Sequence, residues 1–176
     1  ADIGDGWYHG VAVNDRIHLS SADAADVSMI ADGPFRATMR VTVTMHVPGE
    51  FDFRNMTRSL RTAPLVISSD ITLRKGSERV EALITVENTI RDHRLRALFS
   101  TGLSGDSYLS DAAFNVVRRP VALAKDNASR IERDVETRPQ ITWTAFGERG
   151  AGLAVVSRGL PESAVLNTPG RPVALT

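Results

Sequence analysis

At 176 residues, 42% hydrophobic and 24% charged, the chain has the composition of a globular protein and can hide roughly 70% of its open-chain surface on folding. Lys plus Arg and Asp plus Glu both number 21, for a net charge of zero, which argues against a nucleic-acid partner, since such binding needs a clustered cationic excess. Cysteine is absent, and with it disulfides, thiolate zinc sites and cysteine nucleophiles.

Taken in chain order, residues 20–26 are alanine-rich behind Ser20 and predict a turn or two of helix with that serine as N-cap. The apolar run at 27–30 ends in Asp32-Gly33-Pro34. Asp-Gly suits the positive φ of a tight hairpin, so 26–31 is expected to pair with 35–47. From Ala37 onward Ala37, Met39, Val41, Val43, Met45 and Val47 alternate with Thr38, Arg40, Thr42, Thr44 and His46. A period of two is that of a strand with one buried and one polar face. A second hairpin follows: Ile71 and Leu73 alternate with Thr72 and Arg74, Lys75-Gly76-Ser77 turns the chain, and Val80, Ala82, Ile84 and Val86 share a face on the return. Residues 88–92 break the pattern, and 93–99 resume it with Leu95, Ala97 and Phe99 inward. Further strands are predicted at 113–117, 141–146, 153–157 and 173–176, separated by turns at the spacing of a sandwich. Residues 125–135 read as an exposed loop. No repeat or low-complexity linker divides the chain. The expected fold is one all-β domain over residues 1–176, its antiparallel sheets packed face to face, with little helix.

The longest apolar runs fall far short of the roughly 20 residues that span a bilayer, and no signal-peptide pattern is visible. No membrane contact and a cytoplasmic location are the expectations. The chain opens at Ala1 without a methionine and stops at Val173-Ala174-Leu175-Thr176, which resembles the opening of a strand. Both ends suggest a piece of a longer polypeptide.

Catalytic patterns are sparse. None of His9, His18, His46 and His93 forms a metal-binding helical pair, and HExxH is missing. His46 falls on the polar face of the long strand, and His93 reads as a locally bonded turn residue. Ser104 sits between glycines in Thr101-Gly102-Leu103-Ser104-Gly105 but lacks the Gly-x-Ser-x-Gly elbow of a hydrolase nucleophile. The carboxylates fall mostly in turns and on polar faces, where solvation explains them without the paired geometry of glycoside hydrolysis. Asn55 and Asn127 head N-glycosylation sequons, at a frequency near chance. Arginines such as Arg94, Arg96, Arg118 and Arg119 suit bidentate pairing with carboxylates, within a sheet or across an interface. Trp7 and Tyr8, in Gly4-Asp5-Gly6-Trp7-Tyr8-His9, suit either a plug for one end of the core or a face for a sugar ring.

Three ordered stretches carry a resemblance: Gly4-Asp5-Gly6-Trp7-Tyr8, residues 71–81 running into Asp92-His93-Arg94-Leu95-Arg96, and Ser110-Asp111-Ala112-Ala113-Phe114-Asn115-Val116-Val117-Arg118-Arg119-Pro120. Together with Gly152-Leu153-Ala154-Val155 and Gly159-Leu160, they resemble the C-terminal β-sandwich region of glycoside hydrolase family 38 α-mannosidases, bacterial ones in particular. The resemblance implies a galactose-mutarotase-like supersandwich that follows a catalytic α/β domain. It implies that retaining hydrolysis of α-mannosides, the zinc ion with its Asp and His ligands, and the nucleophilic aspartate all belong to that other domain. No catalytic residue, metal ligand or cofactor is then expected in these residues. The implied partners are the rest of the polypeptide and, at the pocket rim, the mannoside. A tyrosine of the opening segment and an arginine of the Arg-Arg segment lie near substrate in that family. By position these are Trp7 or Tyr8, and Arg118 or Arg119. The competing reading is a stand-alone carbohydrate-binding or mutarotase-like module.

Overall fold

The computed structural model describes residues 16–131, 134–148 and 150–176. Trp7, Tyr8 and His9 lie outside the described residues. The described chain is all-β, every strand pair antiparallel, with two short 3-10 turns at Ser20–Ala22 and Asn127–Ser129. It divides into two compact units, one ending at Arg94 and one running from Leu95 to Thr176.

In the first unit the chain forms β1 (Ala25–Asp32), β2 (Arg36–Pro48), β3 (Phe51–Asp52), β4 (Thr57–Arg58), β5 (Thr62–Arg74) and β6 (Val80–Glu87). The sheet order is β1-β2-β5-β6, with β3 and β4 as a separate ribbon. Both predicted hairpins are present. In register, Val27 faces Val41, Met29 faces Met39, and Ile71 lies between Met39 and Ala82. Directly opposed residues share a sheet face, so one face is almost wholly apolar. The other carries Thr38, Arg40, Thr42, Asp70, Thr72 and Glu81. On that polar face Arg40 grips Asp70 bidentately at 2.7 and 2.8 Å, and Arg74 grips Glu81 at 2.8 and 3.1 Å. The hydrogen bond from each guanidinium is the main reason its carboxylate partner's pKa lies below the ordinary value.

Burial divides this sheet along its length. Met45, Val47 and Leu65 form a core cluster with Ile90, against which Val43, Ala63, Ile67 and Val86 pack. Towards the other end the apolar face is open: Met39 is 42% exposed and Leu73 55%, whereas Thr38 on the polar face is only 7% exposed. The expectation of a buried apolar face therefore holds at the Met45–Val47 end of β2 and reverses at Thr38 and Met39. Two local expectations also change. Ser20 is the first residue of a 3-10 turn flanked by Leu19 with no side-chain cap, and the chain is already extended by Ala25. Gly33 turns the first hairpin without a positive φ, which in the second hairpin Gly76 adopts (φ 75°).

The break at 88–93 is a clamped corner. Arg58 donates to the carbonyls of Arg91 (3.0 Å) and Asp92 (2.8 Å) and to that of Pro48. Asp92, in the left-handed region at φ 54°, accepts from the Phe51 amide at 3.0 Å. His93 is half-buried, and burial above all holds its pKa below the usual histidine value.

In the second unit lie β7 (Ala97–Phe99), β8 (Ser107–Ala112), β9 (Asn115–Pro120), β10 (Arg138–Pro139), β11 (Trp143–Glu148), β12 (Ala151–Val156), β13 (Glu162–Val165) and β14 (Val173–Leu175). They build two sheets, β10-β13-β14-β7 and β12-β11-β8-β9. Tyr108 and Phe146 from one sheet meet Val165 and Val173 from the other in a single core with Val121. This unit is thus a small sandwich. The strand expected at 113–117 starts at Asn115 instead, because residues 113–114 turn a β8–β9 hairpin with Phe114 at φ 67°. The strand expected over 93–99 is confined to Ala97–Phe99. Among the described residues no helix is long and apolar enough to cross a membrane.

Candidate functional site

The described residues form open concavities in each unit. A groove of about 480 Å³ runs over the polar face of the first unit's sheet, between Ile30 and Leu83 with Thr38 and Thr72 at its floor. Its two carboxylates, Asp70 and Glu81, are paired within the sheet with Arg40 and Arg74, and the Thr38 and Thr72 hydroxyls bond each other at 2.9 Å. A cleft of about 310 Å³ in the second unit lies between Leu103-Ser104 and the 167–171 turn. There Ser104 donates to Glu148 Oε2 at 3.1 Å, so its hydroxyl serves as a loop contact, in keeping with the missing elbow.

The denser assembly of functional side chains crosses the second unit's sandwich. Ser110 faces Thr144 across β8 and β11, and both are fully buried. Thr144 Oγ1 donates to Gln140 Oε1 at 2.6 Å and lies 2.6 Å from Ser163 Oγ. A hydroxyl carries one proton, so Ser163 must be the donor in the second bond. Gln140 passes the chain on, its Nε2 donating to Ser157 Oγ and the Leu160 carbonyl, each at 3.0 Å. This polar seam joins β11 of one sheet to β13 of the other. A buried hydroxyl without a partner costs about 1–3 kcal/mol, so the seam fixes which residues can face each other.

Arg119 closes one end of the seam. Its position opposite Tyr108 aims it over the core-facing side of edge strand β9. There Nε donates to Ser110 Oγ at 2.9 Å and Nη2 to the Pro139 carbonyl at 2.9 Å. Five N–H donors sit on a guanidinium, so most of its fork stays available. The Tyr108 hydroxyl is buried and finds no hydrogen-bond partner among the described residues. Burial raises its pKa, while the charges of Arg119 and Arg138 oppose that rise. Arg138 bonds Asp134 at 3.0 Å, and Arg96 reaches Thr137 Oγ1 at 3.2 Å. Neighbouring Arg118 is opposite Leu109 on the outer face, exposed, with Nη1 donating to Ser107 Oγ at 3.1 Å. Consecutive strand residues point to opposite faces, so the Arg-Arg pair cannot act on one pocket together.

Asp111 locks the adjoining loop. Its carboxylate accepts from the amides of Ile141 (2.9 Å), Thr142 (2.8 Å) and Trp143 (3.1 Å) and from Thr142 Oγ1 (2.6 Å). Desolvation pushes its pKa up, but the four hydrogen bonds together pull it down to about 2. The signal for this nest was invisible in the sequence, because its donors lie some thirty positions away. The Asn127 sequon is likewise absorbed: its amide nitrogen donates to the Asp134 carbonyl at 2.9 Å and its oxygen accepts from the Asp134 amide at 2.8 Å. Among the described residues no group of three or more His, Asp or Glu side chains could hold a metal ion.

A family model described as "Glycosyl hydrolases family 38 C-terminal domain" matches residues 5–171. A curated protein of Halalkalibacterium halodurans, named "Putative mannosylglycerate hydrolase", is 23% identical over 133 residues, 68% of this chain and 15% of its own length. The crystal structure of an α-mannosidase from Enterococcus faecalis V583 superposes over 99% of this chain with a TM-score of 0.87 at 24% identity, using 21% of that chain. A second Enterococcus faecalis structure, of a protein in glycosyl hydrolase family 38, gives a TM-score of 0.86 at the same identity and coverage. The chain therefore spans about a fifth or less of the length of the relatives it matches.

Proposed function

Because the chain belongs to the C-terminal domain family of the family 38 glycosyl hydrolases, we propose that it is a non-catalytic β domain of an α-mannosidase-type enzyme. On this reading it packs on the catalytic domain and helps complete the mannoside pocket. The observation that carries the reading is the match to the C-terminal domain over residues 5–171. Retaining hydrolysis and its zinc ion belong, in the same reading, to the α/β part of the polypeptide outside these residues. The stand-alone sugar-binding alternative draws no comparable support, since the proteins matched are several times longer.

Within the Arg-Arg segment, Arg119 is the better choice for the pocket. It is anchored through two bonds to a buried hydroxyl and a carbonyl, leaving donors that project from a fixed frame. Such pre-organisation is what a substrate-positioning group needs. Arg118 has one side-chain hydrogen bond and an exposed, solvated fork. The name of the Halalkalibacterium halodurans relative adds mannosylglycerate to aryl α-mannosides as substrates to test; a guanidinium fork suits the glycerate carboxylate.

The test is turnover by the full-length polypeptide with and without zinc chelation, alongside the 176-residue chain alone. Expected results are zinc-dependent α-mannoside hydrolysis by the former and none by the latter. Saturable turnover by the 176-residue chain would overturn the reading. Arg119→Lys should lower kcat/KM by roughly ten- to a hundredfold, as misplaced positioning groups do, and Arg118→Lys by less than about twofold. Equal effects would remove Arg119 from the pocket.

A further inference from the structure

The apolar face of the first unit's sheet is one continuous surface, chained through direct cross-strand pairs from β1 to β6. Along β2 and β5 its positions run Ala37, Met39, Val41, Val43, Met45 and Val47 against Leu73, Ile71, Ser69, Ile67, Leu65 and Ala63. Ser69 is the one polar side chain among them. At one end Ile90 closes over Met45 and Leu65. At the other, Val27, Met29, Met39, Leu73, Val80 and Ile84 are 42–61% exposed. Monomeric proteins seldom leave a contiguous apolar patch of this kind to water, and large ones mark interaction surfaces. The opposite face needs no partner, since it is polar, carries the Arg40–Asp70 and Arg74–Glu81 pairs and can be solvated.

We propose that, in the full-length protein, the open half of this face is covered by an uncharged apolar surface of the same polypeptide from outside these 176 residues. The inference rests on the reading of the chain as one domain of a longer glycosidase, and it says which surface makes the contact. Two observations select this occupant. Most of the length of the matched relatives lies outside the region shared with this chain, so the covering mass is available at high effective concentration. The same stripe is already closed at its buried end by its own chain, through Ile90, and the open half continues that core without a break. Pleated apolar faces pack at about 10 Å separation, and the one charge in the cross-strand rows of this face, Asp32 opposite Ala37, sits at its β1 edge, so its middle offers a charged partner nothing.

The experiment places a photo-crosslinker in the full-length protein, as Met39→p-benzoylphenylalanine, with Ile84→p-benzoylphenylalanine as a second variant should the first not fold. Leu83→p-benzoylphenylalanine, on the polar face and 65% exposed, is the control. The expected result is capture of a peptide from outside the 176 residues, at monomer mass on a denaturing gel, at least tenfold above the Leu83 control. Capture at twice the monomer mass identifies a second copy and overturns the proposal. So does capture confined to the 176 residues, or none above the control. Hydrolysis of an aryl α-mannoside by the unsubstituted protein separates the two readings: an active enzyme with no capture at Met39 sinks this inference alone, and an inactive one with capture sinks the functional reading alone.

Discussion

The long strands of the first unit and the short strands of the second handle apolar side chains in opposite ways. In β13 and β14, six of seven residues are buried, polar Ser163 included. In β2 and β5, thirteen residues each, the apolar stripe is buried at one end and open at the other. Alternation thus identifies which side of a strand is apolar, but coverage depends on what lies opposite. The second unit stacks two of its own sheets around Tyr108, Phe146, Val165 and Val173. Among the described residues the first unit has a single four-stranded sheet, and the corner at Ile90 packs against one end of it.

The largest break in that contrast should come from the second unit's core. Phe146→Ala removes a side chain that is 1% exposed, and should destabilise the unit by about 3–5 kcal/mol in urea unfolding followed by circular dichroism. Next is the polar seam. Thr144→Val keeps the shape but strands Gln140 Oε1 and the Ser163 hydroxyl, at about 1–3 kcal/mol in the same measurement. A loss no greater than that of an exposed threonine would mean the seam does not hold the two sheets together.

Asp111→Asn should cost less, about 1 kcal/mol at neutral pH, because an amide cannot accept all four bonds and the site is open to solvent. Its pH dependence is the sharper readout. The folded-state pKa is depressed from 3.8 to about 2, so the carboxylate's contribution is complete above the unfolded value and is lost as pH falls through the folded one. Wild type and Asp111→Asn should converge between pH 4 and 2 in thermal melts, and a constant gap across that window would contradict the nest. The smallest effect is expected from Met39→Ser in the 176-residue chain, about 0.5 kcal/mol or less, as for other surface changes. A much larger loss there would show that the face is covered within the chain.

Much of this architecture was legible from residues alone. Both first-unit hairpins were marked by period-two runs with turn residues between them, and that signal is local. Strands without alternation escaped: β8 and β13 carry Ser110 and Ser163 at fully buried positions, where a sequence reading places solvent. The opening residues of β5 escaped too, since Pro64 and the Ser68-Ser69 pair obscure the stripe. Of the candidate pocket residues, the Arg-Arg segment was found, but its split into an anchored Arg119 and a solvated Arg118 needed the register with Tyr108 and Leu109. Trp7 and Tyr8 lie outside the described residues.

The sequence by itself determined the strand class, the two first-unit hairpins and the absence of cysteine chemistry, because composition and period-two alternation depend on neighbours a few residues apart. Only the tertiary structure decided which half of the apolar stripe is closed, which hydroxyls are buried as mutual partners and which arginine is held still. Those outcomes depend on groups far apart in the chain, such as Arg119 with Pro139 or Asp111 with Thr142. Hydrogen-bond partnership and burial are properties of the space around a side chain, and the order of residues does not state what fills that space.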